Sequence, residues 1–447
     1  MPGRVRPKMR SACRSIKVPN MHIITLVSFL ALVATNLLTG CVHMPIPSPL
    51  DAKQFAGIDA AVESAIAGRQ VPGAVFWLER KGASYQKAYG RYTFESASTA
   101  MSLDTVFDAA SLTKVLATAP SVMLLIEDGK VALDAPLVRY LPECDGGGKE
   151  GISVRHLLTH TSGLAPGLPA SPPWRGEAAA LKLACEQAVT HPPGTLFRYS
   201  DINFILLGLL VQRVSGLPLN EFAARRLYRP LGMHHTGYLP LRTVAAAAIA
   251  PTQLMTGRSA QSLHGDLPDN QMLQGVVHDP TIRFMGGVGG SAGLFTTAAD
   301  MARFARMMLN GGELDGVRVL SRESVRLMSS VQSPAGAEWR RSAGWDIDSP
   351  YSRPRGGVFP IGSYGHTGFT GCILWIDPFS GTFFILLSNR VYPDDRANIL
   401  ELYGRLGTLA AKSVTGFDFD NVADALPARV VPAGPPSGSR PPQPVSR

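Results

Sequence analysis

Acidic residues are missing from both ends of this 447-residue chain. The first 20 residues hold six basic side chains (Arg4, Arg6, Lys8, Arg10, Arg14 and Lys17) and no Asp or Glu. The last 22 hold Arg429, Arg440 and Arg447, again with no acid. With these nine set aside, 34 basic residues face 34 acidic ones, so the body is formally neutral although the chain as a whole stands at +9. A nucleic-acid partner needs a basic face on the folded domain, and this balance offers none. Charged residues are scarce at 17% and apolar ones make up 45%, which excludes a disordered body and predicts a globular one. Cysteines number five, at spacings that match no zinc pattern, and no His-Glu-x-x-His occurs. His156 and His160, and the adjacent His234 and His235, therefore read as structural, with no metal and no organic cofactor expected. No internal repeat is present.

A long spanning segment is also lacking. The apolar run 23–38 falls short of the ~20 residues a membrane helix needs. Behind a basic stretch it fits a secretory signal peptide over 1–41. It ends in Leu38-Thr39-Gly40-Cys41, which resembles the lipobox of bacterial lipoproteins. That resemblance implies cleavage before Cys41, lipidation of Cys41, and a lipid-anchored, periplasm-facing address in the cell envelope. Val42, where an acid could stand, favours the outer membrane. Three cysteines then remain, Cys144, Cys185 and Cys372. Export permits disulfides and Cys144 with Cys185 is the nearest pair, but the expectation is three unpaired structural residues.

A helix is expected over 55–67. Residues 75–78 and 84–89 form a hairpin about Lys81-Gly82. From Ser111 the pattern turns helical to Ile126, with Gly129 as its stop. The stretch 130–330 is largely helical with long loops. Two apolar strands, 372–376 and 383–387, flank Asp377-Pro378-Phe379-Ser380-Gly381, and a last helix covers roughly 396–413. Strands at both ends around a helical middle predict an α+β domain over 55–415. Its antiparallel sheet is completed from both termini and flanked by helices, beside a mostly helical lobe. Residues 42–54 read as a tether and 416–447 as a Pro-rich disordered tail.

Serine can be activated without a His–Asp pair by a lysine one helical turn away, because positions i and i+3 share a face. Ser-x-x-Lys occurs twice. Ser84 and Lys87 lie in the hairpin, where the spacing has no geometric meaning. Ser111-Leu112-Thr113-Lys114 opens a helix, whose positive end favours negative charge on the serine oxygen. Tyr199-Ser200-Asp201 adds a phenol. Beside a lysine ammonium its phenolate is favoured, so it can take the serine proton and deliver it to the leaving group. His-Thr-Gly also occurs twice, as His235-Thr236-Gly237 in a loop and as His366-Thr367-Gly368 before the C-terminal strands. An edge strand at 366–368 can hold substrate as an added strand. The N–H of Phe369, with that of Ser111, would make an oxyanion hole. Ser291 lies in Gly289-Gly290-Ser291-Ala292-Gly293, but no apolar strand precedes it as a nucleophile elbow requires.

The order Ser111, Tyr199, His366 resembles the serine β-lactamase and penicillin-binding protein superfamily, whose elements are Ser-x-x-Lys, Tyr-x-Asn and Lys-Thr-Gly. The class C-like enzymes, DD-peptidases and related carboxylesterases are the nearest in pattern. Leu157-Leu158-Thr159-His160-Thr161-Ser162-Gly163-Leu164, Pro193-Gly194, Pro230-Leu231-Gly232-Met233 and Gly293-Leu294-Phe295-Thr296-Thr297 agree. Val277-His278-Asp279 and Met285-Gly286-Gly287-Val288-Gly289 are similar to the branch called penicillin-binding protein 4B. The resemblance covers roughly 55–415. It implies Ser111, Lys114 and Tyr199 as catalytic residues and Asp201, His366, Thr367, Gly368 and Phe369 as substrate-binding ones. The substrate would be cell-wall peptide, through D-alanyl-D-alanine carboxypeptidase chemistry, or a small ester or amide, through carboxylesterase or weak β-lactamase chemistry. A non-catalytic wall-binding lipoprotein is the reading from another class.

Two positions depart from the pattern. Asp201 stands where the family has asparagine; a carboxylate only accepts hydrogen bonds, so it is expected to pair with Lys114. His366 stands where the family has lysine and is only partly charged near neutrality, with Arg390 as a conceivable substitute cation.

Overall fold

The computed structural model describes residues 48–255, 270–335, 337 and 339–428. The expected leader, Cys41 and the rest of 42–47, and the tail beyond 428 lie outside the described residues.

The central sheet has seven strands. β1 (Gly73–Arg80) and β2 (Ala83–Gly90) come from the N-terminal side, and β3 (Arg340–Arg341), β4 (Asp346–Asp348), β5 (Tyr364–Gly368), β6 (Cys372–Asp377) and β7 (Thr382–Ser388) from the C-terminal side. The order is β3-β4-β5-β6-β7-β1-β2, with every neighbouring pair antiparallel. β1 meets β7 with Trp77 opposite Ile385, so the two ends of the chain close the sheet as the sequence predicts. Lys81 and Gly82 both have positive φ, as a two-residue turn between right-twisted strands requires.

Side chains alternate between the faces of a strand, and here both faces are covered. Phe76, Leu78, Ile373 and Phe384 pack against α1 (Phe55–Ala67) and α5 (Leu400–Lys412) through Ile58, Val62, Leu402 and Leu406. Val75, Trp77, Leu374, Ile385 and Leu387 face the helical lobe. That lobe is built around α2 (Ala119–Glu127), α3 (Asp201–Ser215) and α4 (Ala298–Leu309). Burial on both faces is why these strands read as unbroken apolar runs rather than as alternating ones.

Three expectations are corrected. The 42–54 tether is not free from residue 48 on: Leu50 is buried and bridges to Val414, and the Asp51 N–H donates to the Ser413 carbonyl at 2.8 Å. Nor does the chain leave the domain at 415. Phe419 packs edge-on against Phe359 with ring centres 5.8 Å apart, and the Leu426 N–H donates to the Ile361 carbonyl at 2.8 Å. Two phenylalanines and a leucine give this stretch apolar area to bury despite its proline-rich sequel. Cys144 and Cys185, expected unpaired, form a disulfide, while Cys372 is free and buried. The turn Pro142–Cys144 packs against the helix Glu177–Glu186, a contact that the sequence separation of 41 does not reveal. Replacing both cysteines by serine is expected to lower stability by ~4 kcal/mol from loop-closure entropy, read as a drop in the midpoint of chemical denaturation.

Candidate active site

The short strand Phe107–Asp108 pairs with Leu294–Thr296 and leads into Ser111. Ala110 has φ +46°, a left-handed conformation that non-glycine residues avoid. Its N–H donates to the Asp108 carboxylate at 2.8 Å, which holds the turn. Residues Ala110–Leu112 form a 3-10 turn and Lys114–Thr118 a single π turn before α2. Such π turns inside helices are frequent at functional sites. The result is a half-buried Ser111 with Lys114 directly beneath it.

Lys114 has no solvent exposure. Its ammonium lies 2.7 Å from Asp201 Oδ1, donates to Ser111 Oγ at 3.0 Å and to the Ser291 carbonyl at 2.9 Å, and sits 5.1 Å from the centre of the Tyr199 ring. Burial works against its charge, but the Asp201 carboxylate and Tyr199 outweigh it and hold the lysine above its usual range. Lys114 is therefore a fixed cation, and the expected Asp201 pairing is present. Asp201 opens α3, where the helix dipole also favours a carboxylate. Ser291 abuts the site by its carbonyl; its hydroxyl is buried with no hydrogen-bond partner among the described residues.

Tyr199 is placed by His160. The Arg198 N–H donates to the His160 carbonyl at 2.9 Å, and the Ser200 N–H to His160 Nδ1 at 3.2 Å. The His160 ring stacks on Tyr199 at 4.4 Å. Burial, then the nearby Arg341 and Lys114 charges, push the His160 pKa well down, so a neutral ring supports the phenol. Tyr351, 39% exposed, packs against Tyr199 with ring centres 5.3 Å apart.

His366, Thr367 and Gly368 run along β5, and His366 lies 6.1 Å from Tyr199 between ring centres. A Cβ on Gly368 would meet the Ala109 carbonyl at 2.5 Å, so only glycine lets this strand end approach the Ser111 turn. Phe369 follows at once. His366 is not the partly charged group expected from its type. It is buried, and burial with the Arg341 and Lys114 charges drives its pKa well below the usual value. Its Nδ1 sits 2.8 Å from the Thr367 carbonyl, which can only accept, so the proton is on Nδ1 and Nε2 is an acceptor. Arg390 does not replace the lysine either: it donates to the carbonyls of Phe369 (2.7 Å), Asp395 (3.1 Å) and Ala397 (2.7 Å). The other His-Thr-Gly is elsewhere. His235 N–H and Thr236 Oγ1 bond to the Asp300 carboxylate, and Gly237 enters the small sheet with Leu294–Thr296.

A profile of the Beta-lactamase family matches residues 58–407. The chain belongs to the Beta-lactamase family. A relative from Escherichia coli K12, provisionally named a D-alanyl-D-alanine carboxypeptidase, is 30% identical over 350 residues, covering 71% of this chain and 79% of the relative. Two solved structures share the fold. EstCE1, described as a hydrolase with promiscuous acyltransferase activity, superposes with a TM-score of 0.64 at 20% identity, over 80% of this chain and 98% of its own. A penicillin-binding protein homologue from Caulobacter crescentus superposes with a TM-score of 0.64 at 19% identity, over 82% and 99%. At these identities the structures establish the fold alone, and this Beta-lactamase-family hydrolase has the α+β architecture that its motifs imply.

Sequence reading missed Asp108, His160, Tyr351 and Arg341 as parts of the site. Asp108 stands three residues before Ser111, and His160 lies inside the Thr-His-Thr-Ser-Gly stretch already noted, so both had a local signal. Tyr351 and Arg341 come from loop and edge-strand segments with no motif, and only the fold brings them in.

Proposed function

We propose that this protein is an exported, lipid-anchored serine hydrolase that works through an acyl-enzyme and acts on cell-wall peptide as a D-alanyl-D-alanine carboxypeptidase. One observation supports it above the others: a wholly buried Lys114 joined at once to Ser111, Asp201 and the Ser291 carbonyl. A structural lysine has no reason to be buried against a half-exposed serine. Held charged, Lys114 orients Ser111 and favours negative charge there. Tyr199 takes the Ser111 proton as Oγ bonds to the substrate carbonyl carbon. The N–H groups of Ser111 and Phe369 receive the oxyanion. Tyr199 then protonates the departing amine, and water attacks the ester, releases the acid and restores Ser111. No step calls on a metal or an organic cofactor. The disulfide supports an oxidising compartment, in keeping with the leader and Cys41 reading, and the provisional name of the E. coli relative supports the substrate.

A second reading, carboxylesterase, is favoured by the neutral His366. A peptide C-terminus wants a cation, yet Lys114 is paired with Asp201, Arg341 with Asp346, and Arg390 with backbone carbonyls. Intact mass after benzylpenicillin, with peptide mapping, and D-alanine release from a D-alanyl-D-alanine peptide test the first reading. A Ser111 adduct with D-alanine release supports it. Cleavage of p-nitrophenyl esters with the peptide untouched moves the assignment to the esterase; inertness toward all three substrates leaves the wall-binding lipoprotein.

Penicillin itself is expected to be turned over slowly, with acyl-enzyme accumulating. The Asp201 carboxylate cannot donate to the β-lactam side-chain carbonyl, and neutral His366 does not attract its carboxylate. Sustained rapid hydrolysis in stopped-flow absorbance, without a burst, contradicts this.

A further inference from the structure

Asp108 is joined by hydrogen bonds to both sides of the site. Its carboxylate accepts the Ala110 N–H at 2.8 Å through Oδ1 and the His278 N–H at 2.7 Å through Oδ2. Its backbone carbonyl accepts the Thr370 hydroxyl at 2.7 Å. Ala110 immediately precedes Ser111, and Thr370 immediately follows Phe369. The loop at His278 returns to the same place, because the His278 ring stacks on Phe369 at 5.7 Å. The Arg390 guanidinium also lies over the Phe369 ring, 4.3 Å from its centre. Asp108 is almost wholly buried, so none of these bonds competes with water.

We propose that Asp108 is a positioning residue for catalysis, one that sets the spacing of the Ser111 and Phe369 N–H groups by tying the left-handed turn before the serine to the segment around Phe369. This rests on the reading of those two N–H groups as the oxyanion hole. Oxyanion donors act only when held where the charge develops, and loss of one such donor costs ~10²–10³-fold in turnover. Asp108 would act through backbone placement, without touching substrate. A left-handed alanine needs such support, since this conformation is unfavourable by ~1–3 kcal/mol on its own.

The carboxylate must be ionised to accept both N–H groups well. Burial, and then the Asp279 charge, raise the Asp108 pKa to about 6 against the pull of the two N–H bonds and the Arg283 charge. Its other titratable neighbours are neutral: His278 is pushed down to about 3 by burial, and the Cys372 thiol on β6 up to about 12. Below pH 6 a protonated Asp108 has one oxygen turned donor, and an N–H loses its acceptor.

The test uses the full-length protein and pre-steady-state acylation by benzylpenicillin or a p-nitrophenyl ester, followed from pH 4.5 to 8. The wild type is expected to show an acid limb near pH 6. Asp108→Asn keeps the shape and one acceptor. It is expected to acylate roughly 10–100-fold more slowly, with apparent binding of the reagent within about threefold and the limb gone. Thr370→Val, which removes the bond to the Asp108 carbonyl and a longer 3.6 Å contact with the Cys372 thiol, is expected to slow acylation and keep the limb, and it supplies the answer where Asp108→Asn does not fold. Asp279 also titrates near 6. Because its charge helps raise Asp108, Asp279→Asn should move the limb to lower pH rather than abolish it. An acylation rate in Asp108→Asn or Thr370→Val within twofold of wild type, or a limb that disappears with Asp279→Asn and persists with Asp108→Asn, overturns the proposal. Absence of any Ser111 adduct on the wild type defeats instead the reading of the site on which it rests.

Discussion

Ser111→Ala is expected to fold as the parent does and to lose hydrolysis by on the order of 10³–10⁶-fold, the range seen when a nucleophile acting in a unit is removed. The two halves of this expectation have separate grounds. The stability half follows from a short list of contacts. Ser111 Oγ is bonded to Lys114 alone among the described residues, and Lys114 keeps Asp201 and the Ser291 carbonyl when the hydroxyl is gone. The change in unfolding free energy should thus stay within ~3 kcal/mol, the upper net worth of one hydrogen bond to a charged group. The activity half follows because, among the described residues, no other serine or threonine hydroxyl is bonded to Lys114. Ser291 is the informative contrast. Its carbonyl, not its hydroxyl, meets the lysine, so Ser291→Ala keeps that bond and should leave activity within about twofold. Initial rates on a p-nitrophenyl ester together with thermal melts of the two variants decide the matter. A Ser111→Ala protein that retains a tenth of wild-type activity, or a Ser291→Ala protein that loses it, reverses the assignment of the nucleophile.

Lys114→Met should cost nearly as much activity, on the order of 10³-fold or more, and its stability effect has a definite pattern. Methionine matches the stem and removes the charge. The Asp201 side chain is 38% exposed, so it can regain water when its partner goes. The Ser291 carbonyl is buried and loses a donor, at about 1–3 kcal/mol. The expected net is a modest destabilisation. Adding Asp201→Asn to Lys114→Met should change stability little and rescue no activity, because the catalytic cation is still missing. In the wild type the lysine pKa is raised above its ordinary 10.5. Lys114 is therefore fully charged below that value, and its charge is lost only as pH climbs through the higher, folded-state one. No limb between pH 6 and 9 in the rate profile should come from Lys114. A wild-type limb in that range that is absent from the residual activity of Lys114→Met speaks against a permanently charged lysine and for a lysine base.

Much of this was legible before any fold was known, and for identifiable reasons. Ser111 and Lys114 were found because a helix puts i and i+3 on one face whatever surrounds it. The β1–β2 hairpin was found because Lys81-Gly82 accepts positive φ at both positions. The pairing of Asp201 with Lys114 follows from the family resemblance, which puts the two positions side by side, together with their opposite charges, and the structure places them 2.7 Å apart. What was not legible depends on burial. His366 and His160 carry the same ordinary titration on paper, but both are buried near the Arg341 and Lys114 charges and are held neutral. Arg390 looks like a spare cation until its donors are seen on three carbonyls. The Cys144–Cys185 pair spans 41 residues, and the domain ends past 415, because packing, not composition, decides both.

By itself the sequence determined the main elements, their order and the candidate reacting groups, since helix spacing, turn conformations and side-chain chemistry are local properties. Only the tertiary structure decided which of two Ser-x-x-Lys and two His-Thr-Gly motifs meet, which charges survive burial, and how Asp108 links Ser111 to Phe369. Those depend on distances between segments up to some 260 residues apart in the chain, and on the water that folding removes from around them, neither of which any single stretch of sequence contains.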